Sequence, residues 1–294
     1  MSSTEPRFTL SKDSITEFRK LIYSAYSTEG RSFPWRQTTD AWAILVSEVM
    51  LQQTQTSRVV SYWTQWMQKW PSPGKLHEAS LEEVLKHWSG LGYNRRARSL
   101  KDSAGIITVE HGGKVPETAD DLIELPGIGA YTSKAIACFA YNHPLVFIET
   151  NIRAVILDLF FTGQDGISDR EIMPVLQAVL DESDPRTWYW ALMDYGASLK
   201  KRSGSRANPN RLSAHYTRQS SFKGSFRQIR GSIIRSLAVK GALSGKDLYA
   251  ASCTAGNIDR DTPVKESDFY RALQSLRNDS MVAESGGVFK ISDS

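Results

Sequence analysis

Apolar residues recur at spacings of three and four along almost all of residues 15–201, from "ITEFRKLIYSAY" to "WYWALMDYGASLKK". That period sets them on one face of an α-helix, so the chain must bury one helical stripe after another. Prolines 34, 71, 73, 116, 126, 144 and 185 mark the joints, because proline lacks a backbone donor and blocks the preceding helix. Ser80 with Glu83, and Ser168 with Glu171, have the spacing of capping boxes. A chain of 294 residues is long enough for a sizeable core in two or three structural units. The expected class is mainly α.

The last third reads differently. "SGSRANPNRLSAHYTRQSSFKGS", 203–225, has linker composition. Beyond it, "FRQIRGSIIRSLAVKG", "SGKDLYAAS" and "KESDFYRALQSLRND" predict three helices, and "MVAESGGVFKIS" predicts two strands around Gly286-Gly287. Three helices and a hairpin predict a small winged-helix-like α+β domain over 222–294. A protein-contact module is the alternative, because the third helix carries as many acids as bases and is no obvious groove reader.

Charge is unevenly placed. No acid occurs between Asp194 and Asp247, an interval holding 12 of the 36 cations, among them Lys200, Lys201, Arg202, Arg227 and Arg230; the other 24 cations are set against 32 acids. An acidic body with an acid-free basic band predicts a polyanionic partner, with nucleic acid favoured over a solvated linker. The polar start "MSSTEPRFTLSKDS" and the lack of a long apolar run predict a cytoplasmic protein without a membrane segment. Two isolated cysteines, Cys138 and Cys253, cannot supply a four-thiolate zinc or iron–sulfur site, and the five histidines lack ligand spacing. No metal or other cofactor is expected.

Three stretches carry chemistry. In "AWAILVSEVMLQQTQ", 41–55, Glu48 interrupts an apolar run; it either reaches solvent or is a partly desolvated general acid or base. In "LIELPGIGAYTSKAIACFA", 122–140, a helix breaks at Pro126, turns through Gly127-Ile128-Gly129 and restarts. Both glycines permit positive φ, so backbone N–H groups at the new helix start can face a phosphate. This is a helix-hairpin-helix pattern. In "VFIETNIRAVI", 146–156, Glu149 and Asn151 again interrupt an apolar run, with Thr150 as the expected cap. Two carboxylates near a core can divide a glycosidic cleavage between leaving group and cation.

"FPWR", "SEVMLQQTQ", "GLGYNRRAR", "LPGIGAYTSKAI", "FIETNIRAV" and "MDYGA" occur in one order over Phe33 to Ala197. In that order they resemble the helix-hairpin-helix (HhH-GPD) DNA glycosylases of base excision repair. The nearest resemblance is to the MutY branch, which includes adenine glycosylases and thymine/uracil mismatch glycosylases. The resemblance implies a two-lobed helical fold: a six-helix bundle over 34–144 carrying the hairpin, and a second lobe of 8–33 with 145–216.

It also implies roles. Glu48 matches the glutamate that protonates the leaving base and handles water, while Glu149 stands where an aspartate usually stabilises the sugar cation. Tyr131 replaces the Schiff-base lysine of bifunctional members such as endonuclease III, which implies a monofunctional enzyme. Lys134, a turn later, reads as a phosphate or surface residue. Gln52 and Gln53 match residues entering the duplex near the orphaned base, and Tyr93 matches a wedge that fills the stack when a base is flipped. Arg95, Gly127, Gly129 and Thr132 complete the expected DNA-binding set.

Two features depart from the resemblance. The four cluster cysteines expected after "MDYGA" are absent, with "KKRSGSRANPNRLSAHY" in their place. The segment from Phe222 is also too short for the 8-oxoguanine-reading domain of adenine glycosylases. The expectation is therefore a monomeric glycosylase acting on mismatched or damaged duplex DNA, with thymine or uracil opposite guanine ranked first. Adenine opposite 8-oxoguanine or guanine is the first alternative. A non-catalytic DNA-binding module is the second.

Overall fold

The computed structural model describes residues 10–202, 208–217, 224–255 and 264–293, the side chains of 200–202 and 255 excepted. In chain order the helices are α1 (Lys12–Glu29), α2 (Ala41–Leu51), α3 (Thr56–Lys69), α4 (Pro73–Glu78), α5 (Leu81–Trp88), α6 (Arg95–Val109) and α7 (Ala119–Leu122). They continue with α8 (Ala130–Tyr141), α9 (Thr150–Phe160), α10 (Asp169–Val179), α11 (Pro185–Arg202), α12 (Phe226–Lys240), α13 (Gly245–Ala255) and α14 (Glu266–Asn278). Three short strands, β1 (Leu243–Ser244), β2 (Val282–Ser285) and β3 (Val288–Ile291), form one antiparallel sheet in the order β1-β3-β2. The mainly α expectation holds, as does the small C-terminal α+β domain. The two-residue β1 has no sequence signal of its own.

The chain divides into two compact units. The first comprises 1–44, 117–123 and 128–218. Its core gathers Phe18 and Ile22 of α1, the inner face of α8, Ile152, Val155 and Ile156 of α9, and Trp188, Tyr189 and Leu192 of α11. The rings of Phe147 and Tyr189 stack at 4.0 Å, and Phe18 meets Trp188 edge-on at 5.7 Å. Part of the stretch with linker composition belongs to this packing. Pro209 and Asn210 are buried in a 3-10 turn, and Ile167 forms a parallel bridge with Ser213. The capping box of α10 is complete: Ser168 caps, and the Glu171 carboxylate accepts from the Ser168 N–H at 3.0 Å.

The second unit comprises 45–116, 124–127 and 219–294. Trp66, Trp70 and Trp88 cluster edge-on between α3 and α5, with Trp66 to Trp70 centroids 4.5 Å apart. Here the predicted box is only half made. Ser80 accepts from the Glu83 N–H at 3.2 Å, while the Glu83 carboxylate pairs with Lys69 at 2.7 Å. The C-terminal domain is built into this unit, since α12 packs on α5 as well as on α13 and α14. Arg98 of α6 donates to the carbonyls of Asp279 and Ser280, fixing the end of α14.

Candidate active site and nucleic-acid groove

Helix α2 is buried continuously from Trp42 to Met50, so it has no solvent face for a polar side chain. Glu48 on it is only 7% exposed, which removes the first of the two readings of this residue. The end of α2 is held by Arg96. Its Nη1 donates to the carbonyls of Val49 (2.9 Å), Met50 (2.9 Å) and Gln52 (2.6 Å), and its Nη2 donates to Thr54 Oγ1 and the Gly92 carbonyl. Burial lowers the Arg96 pKa to about 10, still far above neutrality, so the clamp stays charged and the helix end stays fixed. In "NRRAR" Arg96 reads like its neighbour Arg95; only burial separates a clamp from an exposed cation.

Immediately beyond α2 the second unit opens into a groove of about 1090 Å³. Val49, Gln52, Gln53, Tyr93, Arg95 and Gly127 line it, together with Arg227 and Arg230 of α12. Gln52 Nε2 donates to the Gly127 carbonyl at 3.3 Å, and Gln53 is exposed at φ 54. Tyr93 also has positive φ, 50, a backbone state that a bulky side chain adopts only where its surroundings enforce it. The Trp88 indole donates to the Gly92 carbonyl at 2.9 Å, and Tyr62 donates to the Ser89 carbonyl at 2.7 Å. The Tyr93 ring has the Arg96 guanidinium 5.5 Å from its centroid and that of Arg227 at 5.3 Å. Arg227 also donates to the Tyr93 hydroxyl. Arg230 is engaged by Asp279 at 2.6 Å and by Ser275.

The hairpin uses one left-handed glycine rather than two. Gly127 has φ 78, whereas Gly129 is extended (φ −96, ψ 177) and serves as the N-cap of α8. A Cβ on Gly127 would lie 2.7 Å from Ser99 Cβ, so the position also needs glycine for space. Ser103 Oγ donates to the Pro126 carbonyl at 3.0 Å and holds the turn. In the first unit, Tyr131 sits on the first turn of α8 with its ring edge-on to Phe147 at 5.7 Å. Thr132 is buried at 4% exposure, so the first-turn backbone N–H groups, not its hydroxyl, are what this turn presents. Lys134 is half-buried and donates to the Val146 carbonyl at 3.2 Å.

Glu149 itself is the N-cap of α9, in place of the expected Thr150. Its Oε2 accepts from the Asn151 N–H at 2.6 Å and its Oε1 from Asn151 Nδ2 at 3.3 Å. Helix α11 crosses here at Gly196, where a Cβ would lie 2.1 Å from the Asn151 carbonyl oxygen. Two residues earlier, Asp194 accepts from Arg31 at 2.6 Å and from Arg36 at 2.8 Å, with its side chain 5% exposed. Burial alone raises the Asp194 pKa, but the Arg36 and Arg31 hydrogen bonds and the Arg36 charge outweigh it and hold the carboxyl below its usual range. Thus "FPWR" and "MDYGA" meet in one ion-pair cluster, and "FIETN" meets "MDYGA" at Gly196. Neither Asp194 nor Gly196 carries a local signal of that role.

The side chains of Lys200, Lys201 and Arg202 lie outside the described residues. Cys138 is buried in α8 of the first unit, and Cys253 lies on α13 in the second. A four-thiolate iron–sulfur cluster does not fit this chain. Among the described residues no group of three or more His, Cys, Asp or Glu is placed to hold a metal ion, and no helix is long and apolar enough to cross a membrane.

Residues 46–181 match the family model described as HhH-GPD superfamily base excision DNA repair protein. The adenine DNA glycosylase of Mycolicibacterium smegmatis is 40% identical over 181 residues, covering 60% of this chain and 61% of that protein. The adenine DNA glycosylase of Rattus norvegicus is 40% identical over 197 residues, covering 63% and 38% respectively. The chain thus spans about three fifths or less of these curated relatives. A thermostable thymine-DNA glycosylase structure superposes with a TM-score of 0.55 at 25% identity, over 62% of this chain and 86% of that one. Endonuclease III, in a trapped covalent intermediate with DNA, shares the fold with a TM-score of 0.56 at 19% identity, over 65% and 88%.

Proposed function

Because residues 46–181 match the family model of the HhH-GPD superfamily of base excision DNA repair proteins, we propose that the chain is a monofunctional adenine DNA glycosylase of that superfamily, acting on adenine opposite 8-oxoguanine or guanine. The observation that carries the proposal is Glu48: a carboxylic acid 7% exposed on an otherwise apolar helix, whose end is clamped by Arg96 beside a groove lined with arginines. A carboxyl group held out of bulk water in this way is suited to general acid–base work. Identity of 40% to adenine glycosylases, against 25% to a thymine glycosylase, supports adenine over the thymine or uracil that sequence reasoning ranked first.

In the proposed reaction Glu48 donates a proton to a ring nitrogen of the extruded adenine as the bond from the base to C1′ breaks. The bonding electrons leave with the base, and the sugar becomes an oxocarbenium ion. Glu149 stabilises that cation. Water adds at C1′ and gives up a proton to the Glu48 carboxylate, leaving an abasic site and restoring the acid. General acid catalysis of this kind contributes about 10²–10⁴ in rate. Tyr131 cannot form an imine with the sugar, so the strand stays intact until alkali is added.

The test is single-turnover base release from duplexes containing A:8-oxoguanine, A:G, T:G and U:G, each with and without alkali. Adenine release, seen as strand cleavage only after alkali and abolished in Glu48→Gln with duplex binding retained, is the expected result. Release of thymine or uracil alone would return the assignment to the mismatch reading. Tight binding with no release from any duplex would leave a DNA-binding module.

A further inference from the structure

We propose that the C-terminal domain is part of the DNA-binding surface: α12 forms a wall of the groove, takes a sugar–phosphate backbone at Arg235, and positions Tyr93 through Arg227. The proposal rests on the DNA substrate proposed above but not on its base chemistry.

Placement is the first argument. The arginines of α12 line the same groove as Gln52, Gln53 and Tyr93, within one compact unit. The domain is not a tethered appendage, because Arg98 of α6 donates to Asp279 and Ser280, and α12 packs on α5.

Charge is the second. Six arginines line the groove, at 58, 95, 96, 227, 230 and 235, against one acid, Asp279, which Arg230 already holds. Arg96 and Arg230 hold parts of the fold and Arg58 donates to the Gly90 carbonyl at 3.4 Å, while Arg58, Arg95 and Arg235 all keep an exposed surface that a ligand can reach. So one-signed a groove concentrates a polyanion, and a sugar–phosphate backbone, whose charge recurs at every nucleotide, is the occupant that matches it along its length.

The third argument is the Arg227–Tyr93 contact. A guanidinium over the ring and bonded to its hydroxyl removes rotamer freedom from an aromatic that already sits on strained backbone. A ring fixed in this way is a stacking platform for an unpaired base or an emptied stack. Arg227 is thus a positioning residue whose effect reaches DNA through Tyr93, while Arg235 meets phosphate directly.

The experiment uses the full chain carrying Glu48→Gln, with duplexes that are either undamaged or contain a tetrahydrofuran abasic-site analogue, and reads anisotropy across a salt series. Arg235→Gln is expected to weaken binding to both duplexes alike, by about tenfold, and to reduce the slope of log K against log salt by about one. Arg227→Gln is expected to lose affinity mainly for the abasic duplex. Arg227→Lys, which keeps the charge but not the planar fork, should keep the parent's salt slope and still lack its abasic preference. Val239→Ser, at an exposed site on α12 outside the groove, should change nothing.

Unchanged affinity and slope in the Arg235 and Arg227 variants, with native circular dichroism and melting, would overturn the proposal and make the domain a protein-contact module. Failure of the parent to bind either duplex would overturn it too. If the variants behave as expected while the parent lacking the Glu48 change releases no base, the glycosylase assignment fails and this inference stands.

Discussion

Gly196→Ala isolates one contact that ties the fold to the proposed chemistry. In the interior of an exposed helix this substitution stabilises by about 1 kcal/mol, because alanine loses less backbone entropy than glycine. At Gly196 the added Cβ would stand 2.1 Å from the Asn151 carbonyl oxygen, 2.7 Å from its carbon and 3.0 Å from its Cα. All three are backbone atoms, so no side chain can rotate away, and relief requires α9 and α11 to separate by roughly 1 Å. Overpacking of this kind costs about 1–3 kcal/mol; set against the propensity gain of about 1 kcal/mol, the net expectation is a loss of about 0–2 kcal/mol, towards the upper end because only backbone can yield. The displaced atoms belong to the residue whose N–H holds the Glu149 carboxylate at 2.6 Å. A shift of about 1 Å in a catalytic group costs up to ~10² in rate. The assays are urea unfolding and single-turnover adenine release. Gly231→Ala on α12, where a Cβ meets nothing within 4 Å, is the stability control and should gain the full propensity term. If Gly196→Ala also gains stability and keeps the parent rate, the α9–α11 crossing has slack and the link between Gly196 and Glu149 is wrong.

Other consequences follow from the same contacts. Asp194→Asn removes the charge that Arg31 and Arg36 share and should cost about 3 kcal/mol at neutral pH, measured by urea unfolding. Because the folded Asp194 pKa is depressed, its contribution is complete above the ordinary carboxyl value of about 4 and disappears as pH falls through the lower folded value. The stability gap between wild type and Asp194→Asn should therefore narrow on acidification, and a gap that is flat with pH would show that the carboxylate charge is irrelevant. Borohydride should trap no covalent complex between the wild-type protein and an abasic duplex, because Tyr131 is not an amine and Lys134 is turned to the Val146 carbonyl; a trapped band would identify another imine-forming residue. Gly127→Ala must carry positive φ and press on Ser99, so a melting temperature equal to wild type would refute the tight hairpin.

Much of the helical framework was legible because its signals are local. Apolar spacing and proline joints mark most of the helices, and the Ser168–Glu171 box formed as its spacing implies. Gly286-Gly287 turns between two strands, as its neighbours suggest. Where a local signal misled, another group had taken the place it pointed to, sometimes distant in sequence and sometimes adjacent. Lys69 took the Glu83 carboxylate from the cap of α5. Glu149 took the cap of α9 from Thr150. The stretch that reads as a linker around Pro209 pairs with Ile167, which no composition rule anticipates.

The candidate site divides along the same line. Sequence alone determined which carboxylates interrupt apolar runs, where the Pro-Gly-Ile-Gly turn lies, that residue 131 is a tyrosine, and that acids are missing from 195 to 246, since residue identity and periodicity are properties of the chain itself. Only tertiary structure decided that Glu48 is buried, that Arg96 is a clamp while Arg95 is exposed, that Arg230 is engaged by Asp279, and that Arg227 rests on Tyr93, 134 positions away in sequence. Burial and pairing depend on which surfaces meet when the helices pack, and two arginines of identical chemistry take opposite roles according to whether a carbonyl or carboxylate stands within 3 Å or water does.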